Sequence, residues 1–215
     1  MRRAALATVL WSLVLCGSTR AQVPPNWRWT TGAGLGVFLG AGEIGRYPNA
    51  TGGHEDLMAR LDAGIGLGFQ AGLESRFGGL ELRGLGTSSA VQVENEYGVR
   101  FPHHGGRPFA WTGNLLLYPL APLQRPGGAL RPFLTAGLGG LLMSVDLDNV
   151  NDQTLYHSFH WSLGGGVRIA TSPEDVPSWT PTFLELRVVR MRVWLNGPLE
   201  GFDIMAATIG LGMRH

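Results

Sequence analysis

Strict alternation of side-chain character over 13 residues limits this chain more than any other feature. From Trp27 to Leu39 the odd positions are Trp27, Trp29, Thr31, Ala33, Leu35, Val37 and Leu39, and the even positions are Arg28, Thr30, Gly32, Gly34, Gly36 and Phe38. From Ala59 to Ala71 the same pattern returns, with Ala59, Leu61, Ala63, Ile65, Leu67, Phe69 and Ala71 set between Arg60, Asp62, Gly64, Gly66, Gly68 and Gln70. A helix scatters every second residue around its circumference, whereas a strand puts them on one face. Both runs are therefore strands, and both exceed the usual strand of about 5–6 residues.

Six further segments alternate in the same way. They run through Leu80 and Leu82, Phe109 to Leu117, Leu134 to Leu138, Phe159 to Ile169, Leu184 to Val188, and Met205 to Met213. The phase slips near Gly84, where a bulge is expected. The total is eight strands and no helix of useful length. The connections 41–58, 89–107, 145–157 and 192–202 are mostly polar, and 74–79, 119–131 and 171–181 hold Gly or Pro. Two alternating sets of connections are what an up-and-down antiparallel barrel places at its opposite ends.

Either face of such a barrel can point outward, and composition chooses between them. Gly accounts for 33 of 215 residues, and charged residues for only 15%. The non-apolar face is mostly Gly with isolated charges: Arg28, Arg60, Asp62, Glu81, Arg83, Arg168, Glu185 and Arg187. A water-facing exterior made of Gly would weaken its strands and cover nothing. A narrow eight-stranded lumen, by contrast, needs small side chains, with charges that pair one another. The apolar face is then outside, toward lipid. With the N-terminus in the periplasm, Trp27, Trp29 and Phe69 fall near the periplasmic rim. Phe109, Trp111, Phe159 and Trp161 fall near the outer rim, as in the aromatic girdles of membrane barrels. The same composition excludes a disordered chain, a collagen and, at a formal charge of +1, a basic nucleic-acid binder. All 17 basic residues are Arg, which barrel physics does not explain.

Residues 1–21 read as a secretory signal, with Arg2 and Arg3 before the apolar run Ala4 to Leu15 and small residues at Thr19 and Ala21. The run is too short to span a membrane as a helix. Residues 22–215 form the barrel domain. The single cysteine, Cys16, lies in the leader behind Leu15, which does not suit a lipoprotein signal.

Four motifs in order carry a resemblance: Arg131-Pro132-Phe133-Leu134-Thr135-Ala136-Gly137-Leu138-Gly139, Leu163-Gly164-Gly165-Gly166-Val167-Arg168, Leu184-Glu185-Leu186-Arg187, and Ile209-Gly210-Leu211-Gly212-Met213-Arg214. With them, residues 27–215 resemble the small outer-membrane β-barrels related to the membrane domain of OmpA. The resemblance implies an all-β, eight-stranded transmembrane barrel of the Gram-negative cell envelope. Its implied partners are outer-membrane lipid, lipopolysaccharide and the barrel-insertion machinery, and it implies no nucleic acid and no cofactor. Such barrels usually end in an aromatic residue, and this chain ends in His215.

The expected role is structural or surface-interacting, around a narrow or closed lumen. Three alternatives stand beside it. One is a lipid-modifying hydrolase using His160 and Ser162. These two residues share a strand face and are similar to the His-x-Ser pair of lipid A deacylases, although Leu163 stands where Asn usually follows and Glu174 lies in a turn. The second is a secreted lipocalin-like carrier, with the apolar face turned inward. The third is a narrow solute leak. Arg190 and Arg192 lie on the outward parity beyond the aliphatic band, where lipopolysaccharide phosphates would sit. The acidic run Asp146, Asp148, Asn149, Asn151 and Asp152 lacks EF-hand spacing, and His54-Glu55 and His103-His104 lack zinc-protease spacing. No metal site is assigned.

Overall fold

The computed structural model describes residues 26–39, 42–48, 56–88, 91–95, 100–101, 108–123, 129–145, 154–171, 182–195 and 202–215. The leader with Cys16, the acidic run 146–152, His54-Glu55, His103-His104 and Glu174 lie outside these residues. Twelve strands and no helix occur among the described residues: β1 (Arg28–Leu39), β2 (Gly42–Pro48), β3 (Asp56–Leu61), β4 (Gly64–Glu74), β5 (Gly78–Thr87), β6 (Val91–Asn95), β7 (Arg100–Phe101), β8 (Phe109–Leu117), β9 (Leu130–Val145), β10 (Thr154–Ala170), β11 (Phe183–Leu195) and β12 (Phe202–Arg214). Eight of them close into an antiparallel barrel in the order β1-β12-β11-β10-β9-β8-β5-β4, and β2-β3-β6-β7 form a second sheet. The barrel strands run from 9 residues in β8 to 17 in β10, and about 9–11 tilted residues suffice to cross a bilayer.

The first and last barrel strands close the wall: β1 pairs with β12 from Thr30↔Arg214 to Leu39↔Met205, and at one end of the barrel His215 donates its backbone N–H to the Trp29 carbonyl. This terminal end also carries the short 75–77 turn between β4 and β5. The second sheet belongs to the opposite, loop end, because its strands fall within the chain between β1 and β4 and between β5 and β8.

Alternation of burial follows the sequence closely. In β8 every even position from Ala110 to Leu116 is buried and every odd position from Trp111 to Leu117 is exposed. Apart from Arg28 at the start of β1 and Arg190 on β11, the exposed set on the barrel strands is apolar, reaching 65% for Ile65 and 71% for Leu67. A soluble monomer rarely leaves so continuous an apolar surface uncovered, whereas lipid solvates it at no cost. The carrier alternative required these residues to point inward, and they point outward.

Three expectations are corrected. First, the run Ala59–Ala71 is two strands. It breaks at Asp62-Ala63, which lets Leu61 bury at 2% exposure while Ile65 and Leu67 face outward. Arg60 consequently sits in β3 of the second sheet, in register with Glu43 and Gln92, and not in the barrel wall. Second, there is no bulge at Gly84. The β4–β5 ladder is unbroken from Gly66↔Thr87 to Glu74↔Gly79, so the apparent slip is Leu85 pointing into the lumen and Gly84 pointing out. Third, the first two polar connections are partly ordered as β2, β3, β6 and β7.

Glycine is not confined to the lumen side. Gly84 faces outward beneath the ring of Phe69, and Gly140 beneath the ring of Trp111, so a Cβ at either position would run into the ring. These rings lie flat across the glycine notches and smooth the wall there.

Candidate functional site

The lumen gathers the larger set of chemistry-bearing side chains among the described residues, and it has two zones. Nearer the terminal end, inward positions of four strands (β4, β5, β10 and β11) and the residue just beyond β8 bring together Glu74, Glu81, Arg83, Tyr118, Arg168, Glu185 and Arg187. All but Arg83 are buried. Three guanidinium groups face three carboxylates, so the cluster is charge-balanced.

Arg168 is its centre. It donates from Nε to Glu185 Oε2 at 2.7 Å, from Nη1 to the Tyr118 hydroxyl at 2.9 Å and from Nη2 to Glu81 Oε2 at 3.1 Å, and it also pairs with Glu74. Tyr118 in turn donates to Glu74 Oε2 at 2.9 Å. Arg187 forks onto Glu81, with Nη1 at 2.6 Å and Nη2 at 2.9 Å, and its Nε lies 2.9 Å from Glu185 Oε1. Arg83 reaches Glu185 Oε1 at 3.0 Å and Gln70 Oε1 at 3.2 Å. Arginine suits such a cluster because its planar fork holds carboxylates bidentately.

An aromatic floor underlies the cluster. The Arg168 guanidinium sits 4.7 Å from the Phe183 ring centre and 5.4 Å from that of Phe133, and Arg187 sits 4.9 Å from Phe133. Below them Arg131 covers the Tyr118 ring at 4.2 Å. These distances lie within cation–π range, so the arginines are held by ring faces as well as by carboxylates.

The loop-end half of the lumen is mainly apolar, interrupted by His160, which is in register with Val193, and by Thr87. Phe38, Leu61, Leu85, Ala110, Leu141, Met143, Met191, Val193, Phe202, Ile204 and Ala206 form one buried cluster. Charges alternating with Gly were expected throughout the lumen, so this plug is a second finding beyond the sequence reading. A cavity of about 30 Å³ separates plug from cluster, with Arg83, Thr112, Asn114 and Ser162 on its polar side and Val189 and Met191 on the other. Such a space holds one or two waters.

The charged residues expected in the lumen divide into two groups. Glu81, Arg83, Arg168, Glu185 and Arg187 meet in one network. Arg28 is exposed at the start of β1 in register with Glu74, Asp62 is half-buried in the link before β4, and Arg60 lies in the second sheet. Glu74 and Tyr118 were missed. Both sit at strand ends assigned to connections, yet both keep the inward parity, Glu74 with Gln70 and Tyr118 with Asn114.

His160 and Ser162 are buried at 0% and 3% exposure. His160 Nε2 is engaged with Thr112 Oγ1 at 3.0 Å, and His160 Nδ1 and Ser162 Oγ have no hydrogen-bond partner among the described residues. Histidine therefore does not hold the serine hydroxyl as a general base must, and both residues face the lumen, away from lipid.

On the outside, Trp29 is exposed near the terminal end and Trp27 is half-buried just before β1. Phe69 stacks on Phe109, with ring centres 6.3 Å apart, and so joins the loop-end aromatics. Phe159 stacks on Trp194 at 5.7 Å, an aromatic not singled out from the sequence. Trp111 is exposed and Trp161 half-buried. Arg190 and Arg192 both face outward on β11 and donate to Asp203 Oδ2 on β12, at 2.7 Å and 3.2 Å.

No protein-family model and no curated protein matches the sequence. Among solved structures, the outer membrane protein OprG from Pseudomonas aeruginosa is similar over 87% of this chain and 95% of its own, with a TM-score of 0.58 and 14% identity. The outer membrane protein AlkL, determined in DMPC bilayers, matches over 92% of this chain and 94% of its own, with a TM-score of 0.52 and 13% identity. Neisserial surface protein A matches over 86% and 95%, with a TM-score of 0.51 and 13% identity. At these identities the likeness concerns the fold. That fold is the small, closed, eight-stranded outer-membrane β-barrel, and the apolar wall with its aromatic rims fits an outer-membrane location.

Proposed function

We propose that this chain is a sealed outer-membrane barrel with a structural or surface-interacting role, in which a rigid wall carries the loop-end segments at the cell surface. The observation that carries this reading is the double filling of the lumen. A charge-balanced Arg–Glu cluster closes one half, an apolar plug closes the other, and about 30 Å³ remains between them. A hydrated ion needs a continuous polar path, and the plug offers none. The terminal end, with the short turn, is the periplasmic one in this reading. Insertion into the membrane relies on the barrel-insertion machinery.

The engaged, lumen-facing His160 and the unpartnered Ser162 disfavour a hydrolase. The size of the cavity disfavours a leak. Planar-bilayer recording on the reconstituted protein tests the proposal. A silent bilayer, with insertion verified by a heat-dependent shift in gel mobility, is the expected outcome. A steady ionic current from the inserted protein would overturn it.

A further inference from the structure

Where the side chains are described, the outward positions of the eight barrel strands can be read from the burial pattern. Among the described residues only Arg190, Arg192 and Asp203 put an Arg, Asp or Glu on that face. The remaining outward positions are aliphatic, aromatic, Gly or other uncharged residues, such as Leu186, Val188 and Trp194 on β11 itself. A charged side chain on a lipid-facing wall costs about 2–4 kcal/mol at the midplane and about 0–1 near the interface. Three gathered at one spot therefore mark a depth where charge is solvated.

The register gives that depth. Counting outward from the terminal end, β11 presents Leu184, Leu186 and Val188 before Arg190 and Arg192. At about 3.3 Å per residue and a tilt near 40°, Arg192 stands on the order of 20 Å above Leu184. The apolar band of such barrels is about 25 Å tall. Arg192 is in register with Trp161 and Asp203, and Arg190 with Leu163 and Met205. The stacked pair Phe159 and Trp194 lies one step further along the same face. Arg192 thus stands near the upper edge of the apolar band, with Arg190 about 5 Å below it, just inside the aromatic rim.

The chemistry of the patch is unbalanced. Among the described residues, two guanidinium groups share one carboxylate oxygen, which leaves a net charge of +1. Each guanidinium has five N–H donors, of which one is directed at Asp203. The side chain of Arg190 is 61% exposed, so its remaining fork faces the membrane. A planar fork beside a net positive charge matches the oxygens of a phosphate bidentately.

We infer that Arg190 and Arg192, with Trp161 and Trp194 alongside, form a docking site for a phosphorylated lipid headgroup of the outer leaflet. Asp203 lies between the two forks and competes with the headgroup for their N–H donors. The inference rests on the outer-membrane reading above.

The test uses the folded barrel in a neutral, phosphate-free detergent, titrated with diphosphoryl lipid A or with its dephosphorylated form and read by native mass spectrometry. The wild type binds the diphosphoryl form more tightly. Arg190→Gln with Arg192→Gln lowers that binding by roughly tenfold or more, as the loss of charge-assisted hydrogen bonds implies. Asp203→Asn, which removes the competing carboxylate, binds at least as tightly as wild type. Equal binding by the double variant and wild type would overturn the site. So would a loss in Asp203→Asn matching that of the double variant, because the triad would then be internal scaffolding. Fractionation keeps the two readings apart: wild type absent from the outer membrane removes the location, whereas unchanged binding by a correctly located, heat-modifiable double variant removes the site alone.

Discussion

Neutralising Glu81 is the sharpest perturbation of the lumen cluster. Its carboxylate takes both Nη atoms of Arg187, at 2.6 and 2.9 Å, and Nη2 of Arg168 at 3.1 Å. The side chains of Glu81, Arg168 and Arg187 are each 1% exposed, so water cannot replace the lost partner. Glu81→Gln leaves three guanidinium groups, those of Arg168 and Arg187 fully buried, against two carboxylates. Stranding a buried charge in this way costs about 3–5 kcal/mol, which is roughly two to four powers of ten in the folding equilibrium. Arg187→Met strands a carboxylate instead and costs a similar amount. The double variant restores balance, so it costs about as much as either single change and far less than their sum. Urea titration of the barrel folded into phosphatidylcholine vesicles, followed by tryptophan fluorescence and by gel mobility, measures all four proteins. Constant slopes against urea show that the folded and unfolded states are otherwise unchanged. Single variants that each lose less than about 1 kcal/mol, or a double variant that loses the full sum, would refute the reasoning that these charges hold one another.

Three other outcomes follow from the wall and lumen. Gly212→Ala drives a Cβ into the buried ring of Phe183 beneath Arg168 and costs about 1–3 kcal/mol, whereas Gly113→Ala, whose nearest neighbour is the Leu138 carbonyl at 3.8 Å, stays within about 0.5 kcal/mol of wild type. The same vesicle titration separates them. Leu67→Arg, at a position 71% exposed on the wall, destabilises the inserted barrel by about 2–4 kcal/mol, and a change within experimental error would show that this face is wetted. Ser162→Ala removes a hydroxyl with no partner among the described residues, so stability and host lipid A acylation both remain at wild-type levels; altered acylation would revive the hydrolase.

The barrel was legible because lipid and a narrow lumen impose opposite demands on neighbouring residues. Leu115 beside Asn114, or Leu186 beside Glu185, states its face without ambiguity. Legibility failed where both faces are apolar. Leu85 and Leu61 point inward, and from the sequence they read as a slipped phase and as an outward residue. Phe38 kept the correct parity, whereas Val193 fell in the connection 192–202 and Ile204 just before the strand beginning at Met205, and nothing local distinguishes a residue that plugs a lumen from one that spaces a wall. The Arg–Glu partners were legible as a set but not as pairs. Arg187 and Glu81 are 106 residues apart, and only barrel closure brings β11 and β5 to face each other. Glu74 and Tyr118 were lost to strand ends, which alternation marks least well.

The central claim is that the apolar face lies in lipid around a filled lumen. Single cysteines placed in the chain from residue 22, which otherwise has none, test it directly. Leu67→Cys and Leu138→Cys sit on the wall, at 71% and 58% exposure without lipid. Leu123→Cys, at 84% exposure, and Ser88→Cys, exposed at the far end of β5, report the two ends, so either orientation in the vesicle leaves one control outside. A membrane-impermeant maleimide should modify the outer control and spare both wall positions until urea unfolds the protein. Wall cysteines that react as fast as the outer control in intact vesicles would contradict the account.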